Sequence, residues 1–303
     1  MVDVVFGRRR RAAAVEIRTD REVYRPGDTV RARVRLTPGT DLPDPEIVVA
    51  LLHADSVSES GSSWTDSWAV DGRYVFEGRS LRAGEAVEVV VDLRVPDRSV
   101  AFPEIDDDPL VDDPDDYRYE ILRSEVWGAP TSTGKALRSE WFVQVTAPGT
   151  DERLAITVLA VGGPVDAVTE PRGDSDRLAR ITLDGLPQRS VPAGATVTGR
   201  LRVDARTELD ARALRVDLLL VETRADRVLT AERRAGVTVS GPVRLSPGAP
   251  RDLPFSLTLP PDLTPSVTTE SWAVSWVLHG VVDLPLREDA VGKRVVAVHD
   301  PRA

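Results

Sequence analysis

The chain contains no cysteine. It therefore has no disulfide, no thiolate metal ligand and no cysteine nucleophile, and the absence suits a reducing compartment. Lysine is almost as scarce: Lys135 and Lys293 are the only two, against 37 arginines among 39 basic residues. That bias fits a GC-rich genome and says little about chemistry. Positive charge is in deficit, and a net charge of −10 argues against a general nucleic-acid binder, which needs a basic surface. Nowhere does the chain approach the roughly 20 apolar residues of a membrane-spanning helix. In "MVDVVFGRRRRAAAVEIRTD" only "AAAV" follows the basic cluster before Glu16, too short for the apolar core of a secretory signal. The expectation is a cytoplasmic protein without a transmembrane segment. Association with a membrane surface is open to such a chain, but nothing in the sequence supports it.

Catalytic signatures are missing too. His53, His279 and His299 are scattered, and none neighbours a Ser or Asp in a recognisable nucleophile setting. Spacings of the HxxxH and GxSxG kind, phosphate-cradling glycine loops and dinucleotide fingerprints do not occur. The expectation is no enzyme and no cofactor.

What the chain does have is material for cores, with 41% hydrophobic residues over 303 positions, enough for two ordinary domains. The dominant period is two. In "TVRARVRL" Val30, Ala32, Val34 and Leu36 point one way and Arg31, Arg33 and Arg35 the other, the mark of a half-buried antiparallel strand. "EIVVALL", "AVEVVVDLRV", "EWFVQV", "LAITVLAV", "TVTGRLRV", "ALRVDLLLVE", "LPFSLTL" and "SWAVSWVLHGVV" read alike, with Pro or Gly at nearly every junction. The one passable helical window, "ELDARALRVDLLL", has the β-branched content and the position of a strand. The protein is expected to be all-β, with about 16 strands if both halves are sandwiches.

The halves repeat. Adding 167 places Gly27 on Gly194, Thr29 on Thr196, Arg33 on Arg200, and Leu51 and Leu52 on Leu218 and Leu219. At an offset of 164, Val91, Leu93, Val95 and Pro96 meet Phe255, Leu257, Leu259 and Pro260. Near the end of each half "YRYEILRSEV" (117–126) sits over "VSWVLHGVVD" (274–283). Two successive antiparallel sandwiches explain these matches, with domains at 1–149 and 150–303. In "YRPGD" Pro26 presets φ for the second turn position and Gly27 accepts the positive φ of the third, a type II turn. In the second half the proline moves to Pro192, which leaves that turn type open.

The "VYRPGDTV" hairpin (23–30), the two tandem sandwiches and the "PSV…WAVSWVL" segment near the end resemble the arrestin-like superfamily. That group holds the arrestins, a retromer subunit and bacterial sporulation-control proteins. The resemblance spans roughly residues 14–298 and rests on strands and turns, not on a catalytic signature. It implies two tandem immunoglobulin-like antiparallel β-sandwiches serving as a bacterial, cytoplasmic, regulatory adaptor or scaffold for protein partners. No clathrin-type tail follows Val298, so receptor recognition in the animal sense does not transfer.

Three stretches are candidate sites. Arg8, Arg9, Arg10 and Arg11 resemble the basic first strand with which arrestins sense phosphates, and are read as partner-binding. Trp64 and Trp68, in the Ser-rich stretch 53–72, are read as partner anchors; the competing role for each is strand packing. Trp141, Phe142, Trp272 and Trp276 are expected in the core. Residues 102–120 carry Asp106, Asp107, Asp108, Asp112, Asp113, Asp115 and Asp116. The alternative function is a ligand-binding module in which these aspartates hold Ca²⁺ through carboxylate oxygens. Against it, the loop lacks the glycine of an EF-hand bend, and charge runs are usually solvated. The acidic loop is also placed to pair with Arg8–Arg11, as a clamp that an anionic peptide would displace.

Overall fold

The structure, a computed structural model, describes residues 13–59, 61–96, 131–160, 177–224, 227–268 and 272–302. These residues form strands and no α-helix, as the period-two pattern requires. In chain order the strands are β1 (Ala13–Thr19), β2 (Val23–Tyr24), β3 (Thr29–Pro38), β4 (Ile47–Glu59), β5 (Ser62–Val75), β6 (Val87–Arg94), β7 (Ser132–Thr133), β8 (Leu137–Ala147) and β9 (Thr150–Val158). There follow β10 (Ala179–Asp184), β11 (Val191–Pro192), β12 (Thr196–Ala205), β13 (Leu209–Ala211), β14 (Ala213–Arg224), β15 (Arg227–Ser240) and β16 (Val243–Leu245). The last are β17 (Arg251–Thr258), β18 (Val267–Thr268), β19 (Trp272–Asp283), β20 (Ala290–Val296) and β21 (Val298–His299). These 21 exceed the sixteen or so expected, because seven of them are pairings of only two or three residues. The window "ELDARALRVDLLL" is strand, split between β13 and β14. No helix of the described residues is long and apolar enough to cross a membrane.

The chain packs as two compact units. One takes its described residues from within Met1–Asp55, Thr65–Gly128 and Ser139–Val158, the other from within Ser56–Trp64, Ala129–Arg138 and Leu159–Ala303.

In the first unit the antiparallel sheet β1-β3-β6 faces the sheet β2-β9-β8-β4-β5. The alternation of β3 decides which side is covered. Val30, Ala32, Val34 and Leu36 are wholly buried, while Arg31, Arg33 and Arg35 lie in water. Across the core stand Val49 and Leu51 of β4, Trp141, Val143 and Val145 of β8, and Ile156 and Val158 of β9. A fully buried leucine or valine contributes about 1.5–3 kcal/mol by leaving water, so this alternation alone fixes the register. One expectation fails here. Phe142 is not in this core, because it follows Trp141 and neighbouring residues of a strand point to opposite faces. It packs instead on a second, smaller cluster of Val48, Ala50 and Leu52 with Ala69 and Tyr74. Strand β4 is thus buried on both faces over most of its length.

The second unit repeats the plan. Sheet β10-β12-β17 corresponds to β1-β3-β6, and the order β15-β14-β19, with β20 beside β19, corresponds to β5-β4-β8-β9. Strand β11 pairs in parallel with β21 as β2 does with β9. Gly280 of β19 shows how close the two sheets come. A methyl group there would lie 2.6 Å from Leu201 Cδ1 and 3.0 Å from Ile181 Cγ2. Trp141, Trp272 and Trp276 are buried as expected. The stretch 117–126 lies outside the described residues, and in strand order the counterpart of β19 is β8.

The repeated hairpin turn is the same in both units. Asp28 N–H donates to Arg25 O (3.0 Å) around Gly27 at φ +86°, and Ala195 N–H donates to Pro192 O (3.1 Å) around Gly194 at φ +83°. Glycine at the third position settles the geometry, so the proline moves from second to first position without changing it.

Candidate functional site

The long strands β4 and β14 each end in charged residues that the apolar alternation would have excluded. In β14 the inward row runs Leu214, Val216, Leu218, Leu220, and its next member is Glu222, which is wholly buried. Its carboxylate is satisfied by backbone. Lys135 N–H donates to Oε1 and Ala136 N–H to Oε2, each at 2.7 Å. The turn that presents these donors is closed by Gly134 N–H to Leu137 O (2.8 Å). It is held by Thr264 Oγ1 donating to Thr133 O (3.1 Å), while Trp276 Nε1 donates to Thr264 O (2.8 Å). Only glycine fits at position 134, since a Cβ would fall on Glu222 Oε1 and 2.6 Å from Leu137 O. All of these residues belong to the second unit.

The hairpin of β4 and β5 contributes its tip to the same unit. Ser58 N–H donates to Ala136 O (2.7 Å), and Glu59 pairs with Arg227 (2.6 Å). Trp64 is half-buried, with the Arg224 guanidinium 4.5 Å above its ring, a cation–π contact. Lys135 Nζ stands 3.8 Å from Glu232. The tip is thus fastened by polar contacts around one buried carboxylate. Beyond it, among the described residues, β5 ends its sheet with β4 as its bonded neighbour.

At the repeat offset of 167 the counterpart of Glu222 is Asp55, also buried. Its neighbourhood in the first unit holds His53, which is 1% exposed, lies 4.7 Å from the Trp141 ring, and has Nε2 2.7 Å from Ser139 Oγ. Burial pushes the imidazole down to about 3, because the charged form loses its hydration there. Serine, histidine and aspartate are together, but not as a nucleophile triad. Asp55 Oδ1 lies 3.6 Å from the same Nε2 that faces Ser139, whereas a triad carboxylate holds the opposite nitrogen. Ser139 is also fully buried, so this hydroxyl meets no substrate. The trio is a packed polar cluster.

A third charged group lies on β14 and the β19–β20 connection. Arg215 reaches three carboxylates: Asp217 (2.9 Å), Asp283 (2.8 Å) and Asp289 (2.9 Å). Arg233 approaches Asp217 from β15 (2.9 Å). His279, on the neighbouring strand, is pushed down to about 4, first by burial and then by Lys293.

Of the residues singled out from sequence, Trp64 is placed as described and Trp68 lies within β5. Arg8, Arg9, Arg10 and Arg11 and the seven aspartates at 106–108, 112, 113, 115 and 116 lie outside the described residues. Among the described residues no three His, Asp or Glu side chains converge on a metal-sized site. Sequence reading missed Glu222, although its signal was present: one acid continuing an otherwise apolar row in "LRVDLLLVE". No known family model matches the chain, and no curated protein matches it.

Proposed function

We propose that the protein is a non-catalytic adaptor of the arrestin-like kind, built of two tandem immunoglobulin-like sandwiches and acting in the cytoplasm of a bacterium. In this reading it holds protein partners by strand addition. The observation that carries the proposal is a pair of long sheet edges. Strands β5 and β15 have 14 residues each, and among the described residues each ends its sheet's main order, with β4 and β14 respectively as the bonded neighbour. Such edges present a row of backbone donors and acceptors to an extended peptide. The recurrence of one strand order in both units supports the arrestin-like reading, and the absence of cysteine supports the compartment.

The test is a proline placed in the edge. Asp66→Pro and Ser67→Pro sit at adjacent β5 positions, whose N–H groups point to opposite sides of the strand. One removes an outward donor and keeps the β4–β5 ladder; the other breaks the ladder and lowers the melting temperature. The variant that keeps its melting temperature should lose partners captured by wild-type protein from the native host. Equal capture by that variant would refute strand addition at β5.

A further inference from the structure

The large sheets of the two units share a strand order but treat their outer faces differently. In the first unit the outward row of β4, Val48, Ala50 and Leu52, is almost fully covered, and the unit's own Tyr74 and Phe142 pack against it. In the second unit the outward row of β14 runs Arg215, Asp217, Leu219, Val221. No Phe, Tyr or Trp stands on that face of β15, β19 or β20, since Trp272 and Trp276 point inward.

Register sets out what the face carries instead. Val295 of β20 lies beside Val277 of β19, Val277 beside Leu219, Val221 beside Ala231 of β15, and Thr223 beside Val228. Together they form an oblique apolar band across four strands. Leu219, Val221 and Val295 are half-buried, Ala231 is exposed, and Val228 is 57% exposed. A solvated sheet face carries polar side chains at such positions, and a contiguous apolar band on one marks a contact surface.

The row beside the band is charged. It reads Lys293, His279, Asp217 across β20, β19 and β14. Burial and then Lys293 keep His279 neutral, and Asp217 is already held by Arg215 and Arg233, each at 2.9 Å. Lys293 is half-buried, and among the described residues no carboxylate pairs with it. A partly buried ammonium without a counter-ion is costly and calls for an anion. The Arg233 side chain, 60% exposed, has donors to spare for a second one.

We infer that this band seats an amphipathic helix of a protein partner, its apolar stripe on Leu219, Val221, Val228 and Val295 and a carboxylate on its flank against Lys293. The inference rests on the adaptor reading and adds a face contact to the edge contact. A strand laid on a sheet face would bury unpaired backbone groups, whereas a helix arrives with its own bonds closed. Four strands about 4.8 Å apart span roughly 14 Å, the length of about ten helical residues. The described residues of this chain contain no α-helix, so the helix comes from another protein. A bilayer fits less well, because the floor of the band is recessed: Val277 is 6% exposed.

The experiment selects a displayed library of helix-forming peptides, about 20 residues long so that they hold helix, against the full-length protein. All carry one leucine stripe, and the flanking positions are varied among Glu, Lys and Gln. The expected result is enrichment of Glu-flanked helices. These should bind Val228→Asp and Lys293→Gln at least tenfold more weakly, while Val228→Asp, at an exposed position, melts as wild type does. Lys293→Glu should turn the selection toward Lys-flanked helices. No enriched helix, enrichment of Lys-flanked or uncharged helices on wild type, or unchanged affinity in either variant overturns the inference. So does Val228-dependent binding to vesicles of phosphatidylcholine with phosphatidylserine. The proline variants of β5 read the edge contact separately: partners lost there with no helix enriched sinks the face contact alone, and partners retained with no helix enriched counts against both.

Discussion

Replacing Glu222 by alanine leaves two amide groups, Lys135 N–H and Ala136 N–H, without the acceptors they now have at 2.7 Å. An interior donor stripped of its partner costs about 1–3 kcal/mol, toward the upper end where the acceptor was a carboxylate. Some relaxation of the turn lets water in, so the expected loss for Glu222→Ala is about 3–5 kcal/mol. For a domain of this size that lowers the melting temperature of the second unit by roughly 6–20 °C. Glu222→Gln keeps one acceptor and aims an NH₂ group at the other amide, so its loss should be about half as large. Urea unfolding followed by tryptophan fluorescence measures the stability. Native-state hydrogen exchange at Lys135 and Ala136 reads the contact itself, and both amides should exchange faster in each variant. Gly134→Ala attacks the same contact from the other side, since its Cβ collides with Glu222 Oε1. Gly241→Ala is the control: no atom lies within 4 Å of a Cβ there, and a change within about 0.5 kcal/mol is expected. The reasoning is wrong if Glu222→Ala loses less than about 1 kcal/mol and the two amides stay as protected as in wild type.

His53 supplies a pH dependence. Its folded pKa is about 3, against about 6.5 unfolded, so below pH 6.5 the unfolded chain takes up a proton that the folded one refuses. Stability should therefore fall as pH drops from 6.5 toward 3, by about 2 kcal/mol already at pH 5, and not change above 7. His53→Gln should lose that much less between pH 7 and pH 5 in paired urea titrations; His279 shifts the same way but is present in both proteins and cancels. If the adaptor reading is right and the aspartates at 106–116 are solvated, the unfolding transition will coincide in calcium and in EDTA. A calcium-dependent rise in melting temperature would favour the ligand-binding module instead.

Local rules carried the fold a long way. Val30, Ala32, Val34 and Leu36 went inward because alternation in a strand leaves no other choice once one face must be dry. Gly27 and Gly194 turn the chain alike because a positive φ at that position suits glycine whatever the proline beside it does. Those two signals, repeated at one spacing, were enough for an all-β chain with two like halves. They failed where the answer depended on a distant atom. Phe142 looks like core from its neighbour Trp141, and only the second apolar face of β4 gives it a different home. Glu222 reads as the polar end of a strand until residues 87 and 86 positions earlier bring it two amide donors. His53 and Ser139, 86 positions apart, show no relation in sequence until β4 and β8 lie side by side. Periodicity reports the face on which a side chain lies, because the pleat is a local property of the backbone. It is silent on which remote group waits on that face, because that is set by the packing of the sheets, and there the buried carboxylates acquire their meaning.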